Sequence, residues 1–212
     1  MWMIHSLFRK ITDILFPTAC YGCSKEGPSL CSSCLARRTR SIDIPHIYIT
    51  SIYSFKDPLI KRAIHAIKYY HRKDLVEPLA NGLAQEITKN DSYDLAKHEW
   101  ILVPVPMPLL RKYMRGYNQA ELIAQELAYK LSLPIRKDLV TRVRTPKRQV
   151  TMRSRSERLK NQHNSFMVAG DVNGLRILLV DDVTTTGATL HEVRRILLKA
   201  GARNVRAVTI AH

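Results

Sequence analysis

Ile177-Leu178-Leu179-Val180-Asp181-Asp182-Val183-Thr184-Thr185-Thr186-Gly187-Ala188-Thr189 is the stretch from which the fold is read. Four apolar residues suited to a fully buried strand run into two carboxylates. A threonine-rich turn around one glycine follows, and then Leu190, Val193, Ile196 and Leu197 recur at helical spacing. The pattern predicts a strand, a turn and a helix N-terminus, whose free backbone N–H groups and dipole hold a phosphate. Threonine hydroxyls add donors, and Gly187 lets the backbone approach a ligand. Asp181 and Asp182 are expected just past the strand's carboxyl end, where open α/β sheets bind ligands. There they can accept hydrogen bonds from two vicinal sugar hydroxyls or hold Mg2+ through water. The bland alternative is a buried strand, a polar turn and a capped helix, with the paired acids and the Thr/Gly turn coinciding by chance.

Outward from this stretch, strands and helices alternate. Residues 47–55 are β-branched and aromatic and predict a strand; Asp57 and Pro58 then open a helix, with Asp near the N-cap and Pro in its first turn. Ile60, Ala63, Ile64 and Ile67 form its apolar stripe, while Lys61, His65, Lys68 and Arg72 recur on another face. A second helical stretch spans 74–89. A buried strand, residues 100–103, is then stopped by Pro104 and Pro106. Arg111, Lys112 and Arg115 precede Arg115-Gly116-Tyr117-Asn118-Gln119 and a helix with Ala120, Ile123, Ala124, Leu127 and Leu131 inward. Cationic residues beyond a strand end are where such a fold meets a second phosphate. After the threonine loop come a helix ended by Gly201 and a last strand over 205–210. The expected class is α/β, a mostly parallel sheet with helices on both faces.

All four cysteines lie close together, in Cys20-Tyr21-Gly22-Cys23 and Cys31-Ser32-Ser33-Cys34. Two Cys-x-x-Cys knuckles this near can converge on one tetrahedral ion, and structural Zn2+ suits four thiolates best. A disulfide pair and an iron–sulfur or redox site are the alternatives. The segment is too small for its own core, so metal binding would supply its folding free energy. The expected division is residues 1–40, a helix and zinc knuckle, and 41–212, the α/β domain. Trp2, Ile4, Leu7, Phe8, Ile11, Ile14 and Leu15 make the first residues an amphipathic helix, interrupted by polar residues and without a signal-peptide pattern. No apolar run approaches the roughly 20 residues of a membrane span, and a cytoplasmic location is expected.

The chain of 212 residues has 34 Lys and Arg against 18 Asp and Glu, a formal net charge of +16. Such a bias favours polyanions: nucleic acid, phosphate-rich ligands or an anionic membrane surface. Between 136 and 160 the charge is one-sided, with Arg148, Arg153, Arg155 and Arg158 among ten cations opposed by Asp138 and Glu157. That belt reads as an anion-binding loop, with a solvated loop as the alternative. Lys68 beside Tyr69 and Tyr70, with Arg111, Lys112 and Arg115, completes a candidate track for a single strand, basic groups alongside aromatic rings, with a solvated basic face as the alternative for the Lys68 row.

The stretch 177–189 resembles the phosphoribosyl-pyrophosphate (PRPP) loop of type I phosphoribosyltransferases. That resemblance implies that Asp181 and Asp182 meet the ribose hydroxyls, that Thr184, Thr185, Thr186, Gly187, Ala188 and Thr189 wrap the 5-phosphate, and that Mg2+ accompanies PRPP. The wider order is similar to the ComF family of bacterial natural transformation. It runs from Phe16-Pro17 and the knuckles through Val103-Pro104-Val105-Pro106, Arg115-Gly116-Tyr117-Asn118-Gln119, Arg144-Thr145 with Gln149, Arg158 with Asn161, and Phe166. The resemblance implies a type I phosphoribosyltransferase-like fold with an N-terminal zinc finger. It also implies a cytoplasmic role in handling transforming single-stranded DNA, and contact with DNA-processing partners such as a helicase or recombination mediator. Position 185 is Thr where purine-salvage relatives carry an Asp base, and a hydroxyl cannot take that proton near neutral pH. Only one helix and one strand follow the loop here, so cover for a base is expected from the N-terminal part.

Two functions compete. The first is a DNA-binding protein on a phosphoribosyltransferase scaffold; the second is an active PRPP-dependent transferase with an unknown acceptor. No pairing of nucleophile and base stands out, and catalytic residues are left unassigned.

Overall fold

The computed structural model describes residues 18–38, 40–41, 46–91, 93–95, 97–143 and 165–212. The expected N-terminal helix and Arg148, Arg153, Arg155 and Arg158 lie outside them. Four parallel strands form the central sheet in the order β1–β6–β5–β2: β1 is Ile49–Tyr53, β2 Trp100–Pro104, β5 Arg176–Val183 and β6 Asn204–Ala211. Two short strands, β3 (Val140–Arg142) and β4 (Phe166–Val168), pair antiparallel beside it. Along β5 the pleat alternates strictly. Leu178 and Val180 enter one core with Ile52, Leu102 and Val208, whereas Ile177 and Leu179 enter another with Val103, Val205 and Ala207.

Each face is covered, which is why Ile177 to Val180 are all wholly buried. Helices α2 (Pro58–Tyr69), α3 (Val76–Lys89) and α5 (Gln119–Leu131) cover the first. Helix α6 (Ala188–Lys199) covers the second with Leu190, Val193 and Leu197, joined by Val140 and Phe166 of the hairpin. Helix α2 starts as its sequence dictates: the Asp57 side chain accepts from the N–H groups of Leu59 and Ile60 at 2.9 and 3.2 Å, with Pro58 at the first position. A 3-10 turn, Lys73–Leu75, leads into α3.

Three details depart from the sequence reading. Strand β5 continues through both acids, Asp181 pairing with Thr209 and Val183 with Ala211 in register, so the carboxylates sit within its last three residues rather than beyond it. A short helix, α4 (Leu109–Arg115), occupies the basic segment. The start of the cationic belt is ordered as β3, and Arg136 forms a bidentate pair with Asp138. Helix α4 buries no residue, so no apolar periodicity marked it.

The cysteine segment is seated on the main domain. Leu30 belongs to the core of α2 and α3, and Tyr21, Cys34 and Leu35 pack against it. The knuckle's own short helix is α1 (Ser32–Ala36). No helix among the described residues is long and apolar enough to cross a membrane.

Candidate functional site

A cleft of about 290 Å³ opens at the carboxyl ends of β2 and β5. Asp181 and Asp182 form its floor, the segment 105–108 one wall, and Lys68, Arg111, Arg115 and Arg142 its cationic rim. Lys68 Nζ lies 2.8 Å from Asp182 Oδ2. Asp181 Oδ1 accepts the Asp182 N–H at 2.8 Å. Burial, and then the adjacent Asp182 carboxylate, push Asp181 up to about 7, against the opposing pull of that N–H, Lys68 and Arg142. Mg2+ at this diacid would need two available carboxylates. Because an ammonium already compensates Asp182, the residues do not fit a divalent ion ligated directly there.

The loop after β5 has the form its composition predicts. Thr184 is buried, and its N–H goes to the Ala211 carbonyl; Thr185 and Thr186 are exposed. Gly187 takes φ +72 as the N-cap of α6, and a Cβ there would come within 2.7 Å of the His46 ring, so both conformation and space demand glycine. Ala188 N–H reaches Thr186 Oγ1 at 3.4 Å, and Thr189 lines the cleft beside the acids. The twelve-residue α6 therefore brings its N-terminal turn to the cleft at Thr189, where a helix N-terminus favours an anion.

Arg115-Gly116-Tyr117-Asn118-Gln119 builds the opposite side. Gly116 ends α4 at φ +73, and Asn118 caps α5 by accepting from Ala120 N–H while donating to the Val105 carbonyl at 3.0 Å. Tyr117 donates its hydroxyl to the Ile67 carbonyl. Arg115 lies over the Tyr69 ring at 5.1 Å and donates to Gln119 Oε1 at 3.2 Å. Gln119 is 3% exposed and lines the cleft, yet its Nε2 has no hydrogen-bond partner among the described residues. A buried amide donor left without an acceptor costs free energy.

Of the cations named from the sequence, Lys68, Arg111 and Arg115 converge on this cleft. Lys112 points away and pairs with Glu121 at 2.8 Å. Arg142, one of the ten cations of the belt, and Gln119, the last residue of the Arg115–Gln119 motif, also line the cleft. Arg142 reaches the cleft from β3, resting over the Phe166 ring at 4.9 Å. Only the tertiary approach of the β3–β4 pair to the sheet reveals its place there.

The four cysteine sulfurs lie within 4.8 Å of one another, and Cys23 and Cys31 Sγ are 3.9 Å apart. Four thiolates about 2.3 Å from one tetrahedral ion would be spaced by about 3.8 Å. Cys20 accepts backbone N–H groups of Gly22 and Cys31 at 3.4 and 3.3 Å. Burial raises its thiol, but those donors and that of Cys23 outweigh it and bring it down to about 6. Cys34 is instead pushed up to about 12, first by the Cys31 thiol and then by burial. Sulfurs so close ionise together only around a cation, so the cluster fits a metal ion.

A phosphoribosyl transferase domain family matches residues 117–212. DNA utilization protein YhgH of Salmonella typhimurium is 32% identical over 180 residues, covering 84% of this chain and 76% of that protein. Competence protein F of Haemophilus influenzae is 37% identical over 113 residues, covering 52% and 49%. Competence protein ComFC of Bacillus subtilis is 28% identical over 208 residues, covering 97% and 81%.

Proposed function

The chain belongs to the ComF family of phosphoribosyltransferase-like proteins, and from that premise we propose that it handles transforming single-stranded DNA, with its cleft binding PRPP or a phosphorylated sugar end. The observation that carries this reading is the cleft itself: two acids placed for sugar hydroxyls and four cations line one space. A helix N-terminus closes the side nearest Thr189. Zn2+ at Cys20, Cys23, Cys31 and Cys34 is structural in this reading, the protein works in the cytoplasm, and a helicase or recombination mediator is its expected protein partner.

Single-stranded DNA would follow the cationic rim past Tyr69, 57% exposed beside Arg115, and Tyr70, 67% exposed. A labelled single-stranded oligonucleotide, followed by fluorescence anisotropy, tests the reading. Salt-sensitive binding that PRPP displaces is the expected result. No binding at moderate salt would overturn the DNA part, whereas binding indifferent to PRPP would put DNA elsewhere on the surface.

The transferase reading is supported by the intact diacid, which a purely structural scaffold would not need. Asp181 and Asp182 would then orient the ribose while an unassigned acceptor displaces pyrophosphate. Magnesium brought by PRPP would meet an Asp182 already paired with Lys68, and no step is assigned to it.

A further inference from the structure

We propose that Lys68 is a resident cation at the diacid, standing where sugar-phosphate sites of this kind call on a divalent metal, so that the cleft binds its anionic ligand without one. The proposal rests on the sugar-phosphate reading of the cleft given above.

Lys68 is held in place by its neighbours in the chain. It lies in the last turn of α2, where a cation is favoured by the helix dipole. The residue before it, Ile67, is buried and accepts the Tyr117 hydroxyl on its carbonyl. The residue after it, Tyr69, lies under Arg115, whose Nη2 is 3.5 Å from the Tyr69 hydroxyl. His71 and Lys73 close on the Tyr117 ring at 5.8 and 4.6 Å, fixing the same helix end from the other direction. The ammonium is therefore delivered to Asp182 by a clamped backbone. Its side chain is 22% exposed and that of Asp182 15%, so water screens the pair only in part.

An ammonium carries three donors. One points at Asp182, and the other two remain for oxygens of a ligand in the same cleft, so one group both neutralises the acid and grips the anion. Charge counting agrees. Lys68, Arg111, Arg115 and Arg142 face two carboxylates, leaving an excess of positive charge that a phosphate monoester or pyrophosphate would meet without an added ion.

The test is PRPP binding by calorimetry, in EDTA and in excess Mg2+, for the native full chain, Lys68→Met and Lys68→Arg, with melting curves for each. Native protein is expected to bind about equally in the two buffers, within roughly threefold. Lys68→Met should bind more than about tenfold more weakly in EDTA, the size of a lost charged hydrogen bond, and recover when Mg2+ can take the released site. Lys68→Arg should behave as native. Native binding that requires Mg2+, with Lys68→Met unchanged from it, overturns the resident cation while leaving the sugar-phosphate site intact. Absence of PRPP binding in both buffers removes the site and the resident cation together.

Discussion

Asp181 shows most directly how one residue sets site strength against stability. Its carboxyl is held up to about 7 by burial and by Asp182, far above an unfolded Asp near 3.8. Between those values the folded chain keeps a proton that the unfolded chain has released. Stability from this group is therefore full below about pH 4 and is lost as pH rises toward 7. Asp181→Asn keeps an oxygen to accept the Asp182 N–H and has no charge to desolvate. In urea melts it should exceed the native protein by about 1–3 kcal/mol at pH 8, the gain vanishing near pH 4. A gain independent of pH would mean that the ionisation is not what strains the site. The same variant should lose PRPP binding, because a functional site keeps a costly charge for its ligand. The two acids and the threonine loop could be placed together from the sequence because they are neighbours in it. The state of Gln119 could not be read so, since its Nε2 is left unmet by tertiary packing. Lys68 was legible as basic, but its pairing with Asp182 joins residues that are distant in sequence.

At the scale of elements, legibility followed the strength of the buried stripe. Strand β5 and helix α2 were readable from Ile177–Val180 and from Asp57-Pro58 with its apolar row, because burial on a defined face imposes a period. Helix α4 and the β3–β4 pair carried no such signal. The first buries nothing, and each strand of the second has three residues. The knuckle is tied to the main domain by contacts that its cysteine spacing does not announce. Tyr21 lies between the Arg62 and Arg72 guanidinium groups at 5.2 and 5.3 Å, Ser29 Oγ donates to the Asp74 carbonyl, and a Cβ on Gly22 would sit 2.9 Å from Leu59. Those contacts hold both ends of α2, the helix that presents Lys68. Metal removal should therefore be felt beyond the cysteines. With a strong chelator, hydrogen exchange is expected to lose protection across α2 as well as residues 20–34, and the melting temperature of the whole domain to fall. Exchange that changes only in the knuckle would show the two parts to be uncoupled, and a metal assay on the native chain should give one zinc per chain.

The whole molecule adds what no element holds alone, a formal charge of +16 with a cleft rimmed by four cations. If a single strand lies over that cleft, binding should weaken with salt in proportion to the phosphates it neutralises, about 0.7 in the log–log slope for each. Arg111 is the informative probe. It is exposed, lines the cleft and makes no ion pair among the described residues, so removing it costs little in folding. Arg111→Ala should leave the melting temperature unchanged, weaken every sequence alike and reduce the slope by about 0.7. Arg153→Glu with Arg155→Glu should act in the same direction by more, since each change also adds repulsion. If the double variant shifts the slope while Arg111→Ala does not, the strand follows the belt and bypasses the cleft. PRPP should then fail to displace it, and the cleft would be a separate site on a DNA-binding surface. If both shift it, one continuous cationic path joins belt and cleft, and the PRPP pocket is where that path meets a sugar-phosphate end.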